Sequence, residues 1–118
     1  MIDFFIENGK IERKELYIMD INEKSNGVDT VELFISGRLD TTTAPQLESR
    51  VRECAKGYKV LVLDLKDVEY ISSAGLRIVL MAHKLMAGIN GRLAVRNPSE
   101  FCTQVFEATG MDSVLSIV

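Results

Sequence analysis

The stretch YISSAGL, residues 70–76, lies between an apolar run and a long helical pattern. The run before it, VLVLDL at residues 60–65, has the length and the β-branched content of a strand that is covered on both faces. The residues after it, from 74 to 88, contain no proline and predict a helix. Ser72 and Ser73 therefore lie at a helix N-terminus, where backbone N–H groups are unpaired and the helix dipole is positive. Because such a position accepts a phosphate well, we predict that one of these serines is a regulatory switch.

Strand and helix patterns alternate along the rest of the chain. Alternating apolar and polar residues predict half-buried strands, whereas apolar residues that recur every three or four positions predict helices. Clusters of polar residues and glycine mark the ends of these elements. The predicted order is an edge strand at 16–21, a polar break at 22–29, a strand at 30–36, a loop at 37–42, a helix at 43–57, the buried strand, the serine turn with its helix, a strand at 92–96, a helix at 97–110 and a short final strand or tail at 114–118.

Residue types typical of helix N-termini begin two of the predicted helices. Thr43 and Gln46 have the spacing of a capping box, with Pro45 in the first turn. The segment NPSE at residues 97–100 predicts a second capping box, with Pro98 at the first helical position. The apolar residues of these two helices are expected to face the core: Ala44, Leu47, Val51 and Cys54 or Ala55 in the first, and Phe101, Cys102, Val105 and Phe106 in the second.

The order of elements predicts a single α/β domain. Two strands joined by a short loop favour an antiparallel start, and the later strand–helix–strand units favour parallel pairing with right-handed crossovers. The expected sheet is small and mixed, with four to five strands, and packs with three to four helices. Residues 15–118 form this domain. Residues 1–14 are an N-terminal extension, in which the NG pair at residues 8–9 favours an extra strand or hairpin, with a short helix or a loose tail as alternatives.

Length and composition are those of one globular domain: the chain has 118 residues, of which 47% are hydrophobic and 26% charged. A net charge of −3 argues against a general nucleic-acid-binding protein, which needs a basic surface to neutralise phosphates. No apolar stretch reaches the length of a membrane span, and the first residues lack the basic and then apolar order of a signal peptide. We therefore expect a cytoplasmic location, with no direct contact to nucleic acid or membrane.

The cysteines and the histidine do not form a recognisable metal site. Cys54 and Cys102 continue apolar helix faces, which favours two buried, reduced thiols, and a disulfide between them is the alternative. Together with the single histidine they supply no CxxC pair and no cluster of metal ligands. Neither a metal nor a cofactor is expected.

Two enzymatic patterns come close to this sequence and fail. A nucleophile elbow, Gly-x-Ser-x-Gly, would join Ser73 to Gly75, but Ile71 occupies the first glycine position. His83 follows Ser73 by ten residues on the same predicted helix, about 15 Å of rise away, which is too far to activate that hydroxyl. Asp64 has the place of an aspartyl-phosphate acceptor at the end of a central strand, but no neighbouring acids follow the first strand to hold magnesium. The sequence therefore predicts no enzymatic activity.

The helix after the serines is more apolar than a surface helix needs to be, since one apolar face about 100° wide suffices. Its apolar residues fall into two stripes. One explanation is a helix that is deeply covered within its own domain, and the other is a partly exposed second stripe that docks a partner. The first stripe contains Leu76, Val79, Leu80, His83, Met86 and Ala87, and the second contains Ile78, Met81, Ala82, Leu85 and Ile89.

Five motifs occur in an order that resembles the STAS domain, and more specifically the stand-alone anti-sigma factor antagonists of bacteria. Each motif is modest alone, but their order and spacing are specific, and they cover about residues 16–118. They are GxLD at 37–40, TAxxL at 43–47, VLDL at 62–65, ISSAGL at 71–76 and VFxxxG at 105–110.

The resemblance implies a partner-switching mechanism. In that family the unphosphorylated antagonist binds an anti-sigma factor, often itself a serine kinase of the histidine-kinase-like ATPase type, and so frees the sigma factor. The kinase inactivates the antagonist by phosphorylating one serine, and a metal-dependent serine phosphatase restores it. The family's phosphoserine stands two residues before the glycine and corresponds to Ser73. Ser72 lies where several members carry aspartate and is a rival acceptor. Asp40 corresponds to a loop acid that in the family lies near the phosphoserine and contributes to the partner surface, and the alternative is an acid that only shapes the turn before the helix.

The resemblance and the docking stripe together predict one partner surface. Two alternatives stay open. In the first, the serines are plain helix caps, worth about 1 kcal/mol, in a scaffold or sensor STAS domain that binds another protein or a nucleotide without a phosphoswitch. In the second, the chain is a small enzyme whose turnover depends on Ser73. The residues predicted for the partner surface are Asp40, Thr41, Ser72, Ser73, Ala74, Gly75, Arg77, Ile78 and Met81.

Overall fold

Strands of the main sheet run first antiparallel and then parallel. The computed structural model describes residues 6–7, 10–11 and 18–118. Strands β1 (Ile6–Glu7) and β2 (Lys10–Ile11) pair antiparallel with each other, as the arms of a hairpin do; the other residues of the predicted extension lie outside the described residues. Strand β3 is antiparallel to β4, β4 is parallel to β5, and β5 is parallel to β6. The main sheet has the spatial order β3 (Met19–Asn26), β4 (Thr30–Leu39), β5 (Val60–Ile71) and β6 (Arg92–Arg96).

Three α-helices follow the strands of the sheet: α1 (Ala44–Ala55), α2 (Ser73–Gly88) and α3 (Glu100–Thr109), after which Met111–Ser113 forms a 3-10 turn. Helix α1 connects β4 to β5 and α2 connects β5 to β6, so two β-α-β units build the parallel half. The predicted α/β domain with a small mixed sheet is confirmed. None of the helices that the structure describes is long and apolar enough to cross a membrane.

Strand β3 continues through the segment 22–29 that its polar residues predict as a break. Its residues pair one to one with β4, from Met19 opposite Gly37 to Asn26 opposite Thr30. Because β3 is an edge strand and mostly exposed, polar side chains do not end it. The prediction of a break was wrong from residue 22 to 26, and the start of the predicted strand at 16–17 lies outside the described residues.

Strand β5 runs six residues beyond its predicted end at Leu65, because β4 continues beside it. At two register shifts β5 has one more residue than β4, and the pairing still joins Arg38 to Tyr70 and Leu39 to Ile71. The loop predicted at 37–42 therefore begins only after Leu39. As a result β4 and β5 end side by side, directly before Asp40 and Ser72.

Both predicted capping boxes differ from the observed caps. Thr43 is the N-cap residue of α1, but its side chain forms no cap hydrogen bond, and the Gln46 amide donates to the carbonyl oxygen of Met19 at 3.3 Å instead. Helix α3 is capped by Ser99, whose Oγ accepts a backbone N–H of the helix at 3.1 Å. Pro98 therefore precedes the cap and does not occupy the first helical position.

The core contains both cysteines, which are free and buried as predicted. Burial, followed by repulsion from the Glu23 carboxylate, raises the pKa of the Cys54 thiol to about 11, so this thiol is neutral and unreactive at neutral pH.

The prediction that Phe101 faces the core was wrong. Its side chain is 38% exposed and packs against the Tyr70 ring, with the ring centroids 5.4 Å apart.

Helix α2 buries a single face. The prediction of two separate apolar stripes was wrong. The buried residues follow the spacing of one helical face and come from both stripes. The residues at the flank of this face are only half-buried and stay accessible from outside. The buried set is Gly75, Ile78, Val79, Ala82 and Met86, and the flank includes Leu80, Met81 and Leu85.

The sheet face that points away from Val31 and Leu33 carries a charged cluster. Arg96 Nε donates to Asp64 Oδ2 at 3.0 Å, and Arg96 Nη1 donates to Glu32 Oε2 at 3.4 Å. The two carboxylate side chains are only 10% and 11% exposed. Asp64 lies in the middle of β5, so the prediction that it ends a central strand was wrong.

Candidate functional site

The candidate site forms where β4 and β5 end next to each other. Leu39 and Ile71 are paired across these parallel strands, and Asp40 and Ser72 are the next residues of each chain segment. The backbone N–H of Ser72 donates to the Leu39 carbonyl oxygen at 3.0 Å, which extends the ladder by one bond. The carboxyl ends of adjacent parallel strands are where open α/β sheets place their functional groups. The topology thus brings the Asp40 loop and the serine turn together.

Gly75 holds the first turn of α2 against the end of β4. A Cβ atom at this position would lie 2.6 Å from the Leu39 carbonyl oxygen and 2.9 Å from Cγ1 of Ile71. Backbone cannot move aside as a flexible side chain can, so only glycine fits this approach. The position of both serines relative to the Asp40 loop is therefore fixed by backbone contacts.

The two serines have different environments. Ser72 is the N-cap of α2, is half-buried, and its Oγ accepts the backbone N–H of Gly75 at 3.5 Å. Ser73 is the first residue of α2 and is exposed, and its hydroxyl has no hydrogen-bond partner among the residues that the structure describes. An enzyme can therefore approach the Ser73 hydroxyl without breaking a helix cap.

Asp40 organises its own loop. Its Oδ1 accepts the backbone N–H of Thr42 at 3.0 Å, the Thr42 hydroxyl at 2.7 Å and the backbone N–H of Thr43 at 3.3 Å. Burial raises the pKa of the Asp40 carboxyl, but the hydrogen bonds from Thr42 and Thr43 together leave it below its ordinary value of 3.8. Asp40 is therefore a carboxylate at neutral pH, and its contribution to stability is lost only as the pH falls through this lowered pKa.

Thr43 closes the Asp40 loop instead of capping α1. Its Oγ1 donates to the Arg38 carbonyl oxygen at 2.7 Å and accepts the backbone N–H of Asp40 at 2.9 Å. Thr43 is 5% exposed, so its hydroxyl is shielded from water and depends on these two partners. The hydroxyl therefore links the end of β4 to the first residue of the Asp40 loop through two backbone groups.

Replacing Thr43 by valine is expected to lower the free energy of unfolding by about 1–3 kcal/mol, because the hydroxyl at this buried position is lost and two backbone groups each lose a hydrogen bond. Urea unfolding at pH 7, followed by circular dichroism, measures this change. Thr43→Ser keeps the hydroxyl and loses one methyl group, so its loss should be clearly smaller. Equal losses in the two variants would show that the methyl group contributes as much as the hydroxyl, and an unchanged stability in Thr43→Val would contradict the role of the two hydrogen bonds.

A row of stacked side chains supports Asp40 on the other side of the strand ends. The Arg38 guanidinium lies over the Tyr70 ring, 4.2 Å from its centroid, and Tyr70 in turn packs on Phe101. Arg38 Nε is buried and is 3.5 Å from Asp40 Oδ2, so it pairs with the carboxylate by charge and not by a hydrogen bond. The sequence patterns did not predict this row. One feature of the sequence could have indicated it: Arg38 lies two residues before Asp40, and Tyr70 lies two residues before Ser72.

The nine residues predicted for the partner surface fall into three groups. Gly75 and Ile78 are buried, so they support this surface from beneath and do not offer side chains to a partner. The exposed residues of the predicted surface are Thr41, Ser73 and Arg77, and the half-buried ones are Asp40, Ser72, Ala74 and Met81.

No cluster of three or more His, Cys, Asp or Glu side chains within the described part of the chain could hold a metal ion.

Comparison with known protein families identifies the architecture around this site. A family model described as Mlab, STAS domain, matches residues 23–117. The chain belongs to the STAS domain family. The match includes all four strands of the main sheet and all three helices, apart from the first residues of β3. The STAS resemblance inferred from the order of the motifs is confirmed.

Relatives of this STAS chain bear the names of anti-sigma factor antagonists. It is 34% identical over 84 residues to BtrV of Bordetella bronchiseptica, which carries such a name, and the match covers 70% of this chain and 72% of BtrV. It is also 29% identical over 99 residues to the anti-sigma-B factor antagonist of Bacillus subtilis, covering 84% and 90% of the two chains.

A solved relative shows the same STAS fold. The anti-sigma factor antagonist SpoIIAA of Bacillus, in its unphosphorylated form, superimposes with a TM-score of 0.73 at 18% identity, covering 84% of this chain and 88% of SpoIIAA. The phosphorylated form of SpoIIAA gives a TM-score of 0.68, covering 84% and 91%. At this identity the likeness establishes the fold of the STAS chain and nothing more specific.

Proposed function

We propose that this STAS domain is an anti-sigma factor antagonist that acts by partner switching. The unmodified chain binds an anti-sigma factor and so frees the sigma factor that it held. Phosphorylation of Ser73 prevents this binding. The chain itself is a binding protein and catalyses no reaction.

The observation that carries the proposal is the difference between the two serines. Ser73 is exposed at the first position of α2 and its hydroxyl is unengaged among the described residues, whereas Ser72 is half-buried and caps the helix. A phosphate on Ser73 meets the unpaired N–H groups and the positive end of the helix dipole. In addition, relatives of this chain are named anti-sigma factor antagonists, and SpoIIAA has been solved with and without phosphate.

The proposed partners follow from the resemblance of the motifs to this family. The anti-sigma factor is itself a serine kinase of the histidine-kinase-like ATPase type, and a metal-dependent serine phosphatase removes the phosphate. All of these reactions take place in the cytoplasm. Asp40, Thr41, Ser72, Ser73, Ala74, Arg77 and Met81 form the face that the anti-sigma factor covers, with Asp40 held as a carboxylate by the hydrogen bonds of its loop.

Intact-mass spectrometry tests the acceptor. The chain is incubated with ATP and the candidate anti-sigma kinases encoded in the same genome, alongside Ser72→Ala and Ser73→Ala. We expect one added phosphate in the wild type and in Ser72→Ala, and none in Ser73→Ala. Because Ser72→Ala removes a helix cap worth about 1 kcal/mol, circular dichroism must show that this variant is folded.

The possible outcomes separate the hypotheses. Loss of the phosphate only in Ser72→Ala would move the acceptor by one residue and keep the mechanism. Absence of phosphate with every kinase, in a folded wild-type chain, would contradict the phosphoswitch and favour a scaffold or sensor that binds another protein or a nucleotide.

A further inference from the structure

Helices α1 and α2 pack side by side and leave a groove on the surface, here called the helical groove. Its volume is about 400 Å³. The half-buried flank of α2 forms its apolar floor, and long cationic side chains from both helices form its rim. The residues that line the helical groove are Arg52, Arg77, Leu80, Met81, Lys84 and Leu85.

The charge of the helical groove is opposite to that of the whole chain. Three of its six lining residues are cationic and none is acidic, although the chain carries a net charge of −3. Among the described residues, Arg77 and Lys84 form no ion pair. Arg52 pairs with Glu48 at 3.0 Å, but both side chains are exposed, so this pair is weak and can exchange for a carboxylate of another molecule.

We propose that the helical groove binds an acidic amphipathic segment of the anti-sigma factor. An apolar side chain of that segment packs against Leu80, Met81 and Leu85, where the flexible methionine adapts to its shape. Carboxylates beside it pair with the cations of the rim. This inference rests on the proposed function, and it adds the chemistry by which the partner is recognised.

The helical groove is continuous with the phosphorylation site through Arg77. Arg77 follows Ser73 by four residues on α2, a spacing that places two side chains next to each other on a helix surface, and both residues are exposed. A phosphate on Ser73 is therefore within reach of the Arg77 guanidinium, which binds phosphate oxygens strongly. When Arg77 binds the phosphate, it is no longer available to pair with a carboxylate of the acidic segment. Phosphorylation also adds negative charge next to the Asp40 loop.

Calorimetric titration of the full chain with its anti-sigma factor tests this inference. Lys84→Glu and Arg52→Glu each reverse one charge of the rim, and both positions are exposed, so folding should be preserved. We expect Kd to rise by about tenfold or more in each variant, because unlike charges are replaced by like charges across the contact. The wild-type Kd should also rise between 50 and 300 mM salt, since exposed charges are screened. Lys66→Glu is the matched control, as Lys66 is an exposed lysine outside the groove.

Four other outcomes would contradict the inference. A complex whose Kd is unchanged in Lys84→Glu and Arg52→Glu would refute the helical groove while leaving the proposed function intact. An equal loss in Lys66→Glu would show a general charge effect. Dimerisation of the chain alone, dissolved by Lys84→Glu in sedimentation, would assign the groove to a second copy. Failure of the wild type to bind any anti-sigma factor of the genome would refute both the groove and the proposed function.

Discussion

Phosphorylated at Ser73, the chain is expected to bind its anti-sigma factor at least about a hundredfold more weakly than the unmodified chain. The phosphate adds about −1.5 to −2 charge on an exposed residue at the edge of the proposed contact. A partner that covers this residue must desolvate that charge, at a cost that reaches several kcal/mol, and about 1.4 kcal/mol corresponds to a factor of ten in Kd. Asp40 directly follows Leu39, the residue paired with Ile71, and we expect its carboxylate to add repulsion toward the phosphate.

Titration of the enzymatically phosphorylated chain against the anti-sigma factor measures this loss, and urea unfolding of the same sample shows whether the fold is preserved. The helix end should stabilise the phosphate by about 0.3–1 kcal/mol, so the unfolding midpoint should not fall. Val28→Glu is the charge control, because Val28 is 87% exposed in the turn at the opposite end of β4, and it should bind normally. An unchanged Kd on phosphorylation, or a loss of binding that accompanies unfolding, would contradict the proposed switch.

Arg96→Met is expected to lower the free energy of unfolding by about 3–5 kcal/mol at pH 7, because it leaves two nearly buried carboxylates without their common partner. Arg96 bonds both Asp64 and Glu32 and lies over the Phe34 ring, 5.4 Å from its centroid. Methionine keeps much of the apolar volume of the arginine stem, so the loss reports mainly the missing charge.

Equilibrium unfolding in urea measures this difference, with Arg52→Met as the matched control. Arg52 pairs with a single carboxylate at the surface, where its side chain is 54% exposed, so its removal should cost less than about 1 kcal/mol. Adding Asp64→Asn and Glu32→Gln to Arg96→Met should restore part of the stability by removing the unpaired charges. Similar losses for Arg96→Met and Arg52→Met would show that the cluster is not effectively buried.

Most of the fold could be predicted from local sequence patterns, because burial imposes a period on each strand and helix. What could not be predicted depends on residues far apart in the chain. The extension of β5 to Ile71 requires β4 as its neighbour, and the polar residues of β3 form a strand only because β4 pairs with them. Phe101 was placed in the core by its apolar character, whereas the nearby Tyr70 ring gives it a partner at the surface.

The serine turn was predictable because a buried run, two hydroxyl residues and an apolar helix follow one another directly. The residue pattern alone did not distinguish Ser72 from Ser73, for which only the family resemblance favoured Ser73, since the difference depends on which hydroxyl caps the helix. The role of Thr43 was also hidden: its spacing to Gln46 indicates a cap, but a carbonyl oxygen in β4 competes for its hydroxyl. The helical groove appears only when two helices lie side by side, which no single helix pattern reveals.

The close approach of Gly75 to the Leu39 backbone has a consequence for timing. The first turn of α2 already presents Ser73 at the surface, so under the proposed mechanism phosphorylation changes the charge of that surface without requiring the microsecond to millisecond rearrangements that loops and domains undergo. Under the proposed mechanism, the response time is then set by the enzymes that form and cleave one phosphate ester. The chain then exists in two forms, phosphorylated and unphosphorylated, and the phosphorylated form lasts as long as its phosphate ester. It therefore persists after the stimulus until the phosphatase removes the phosphate.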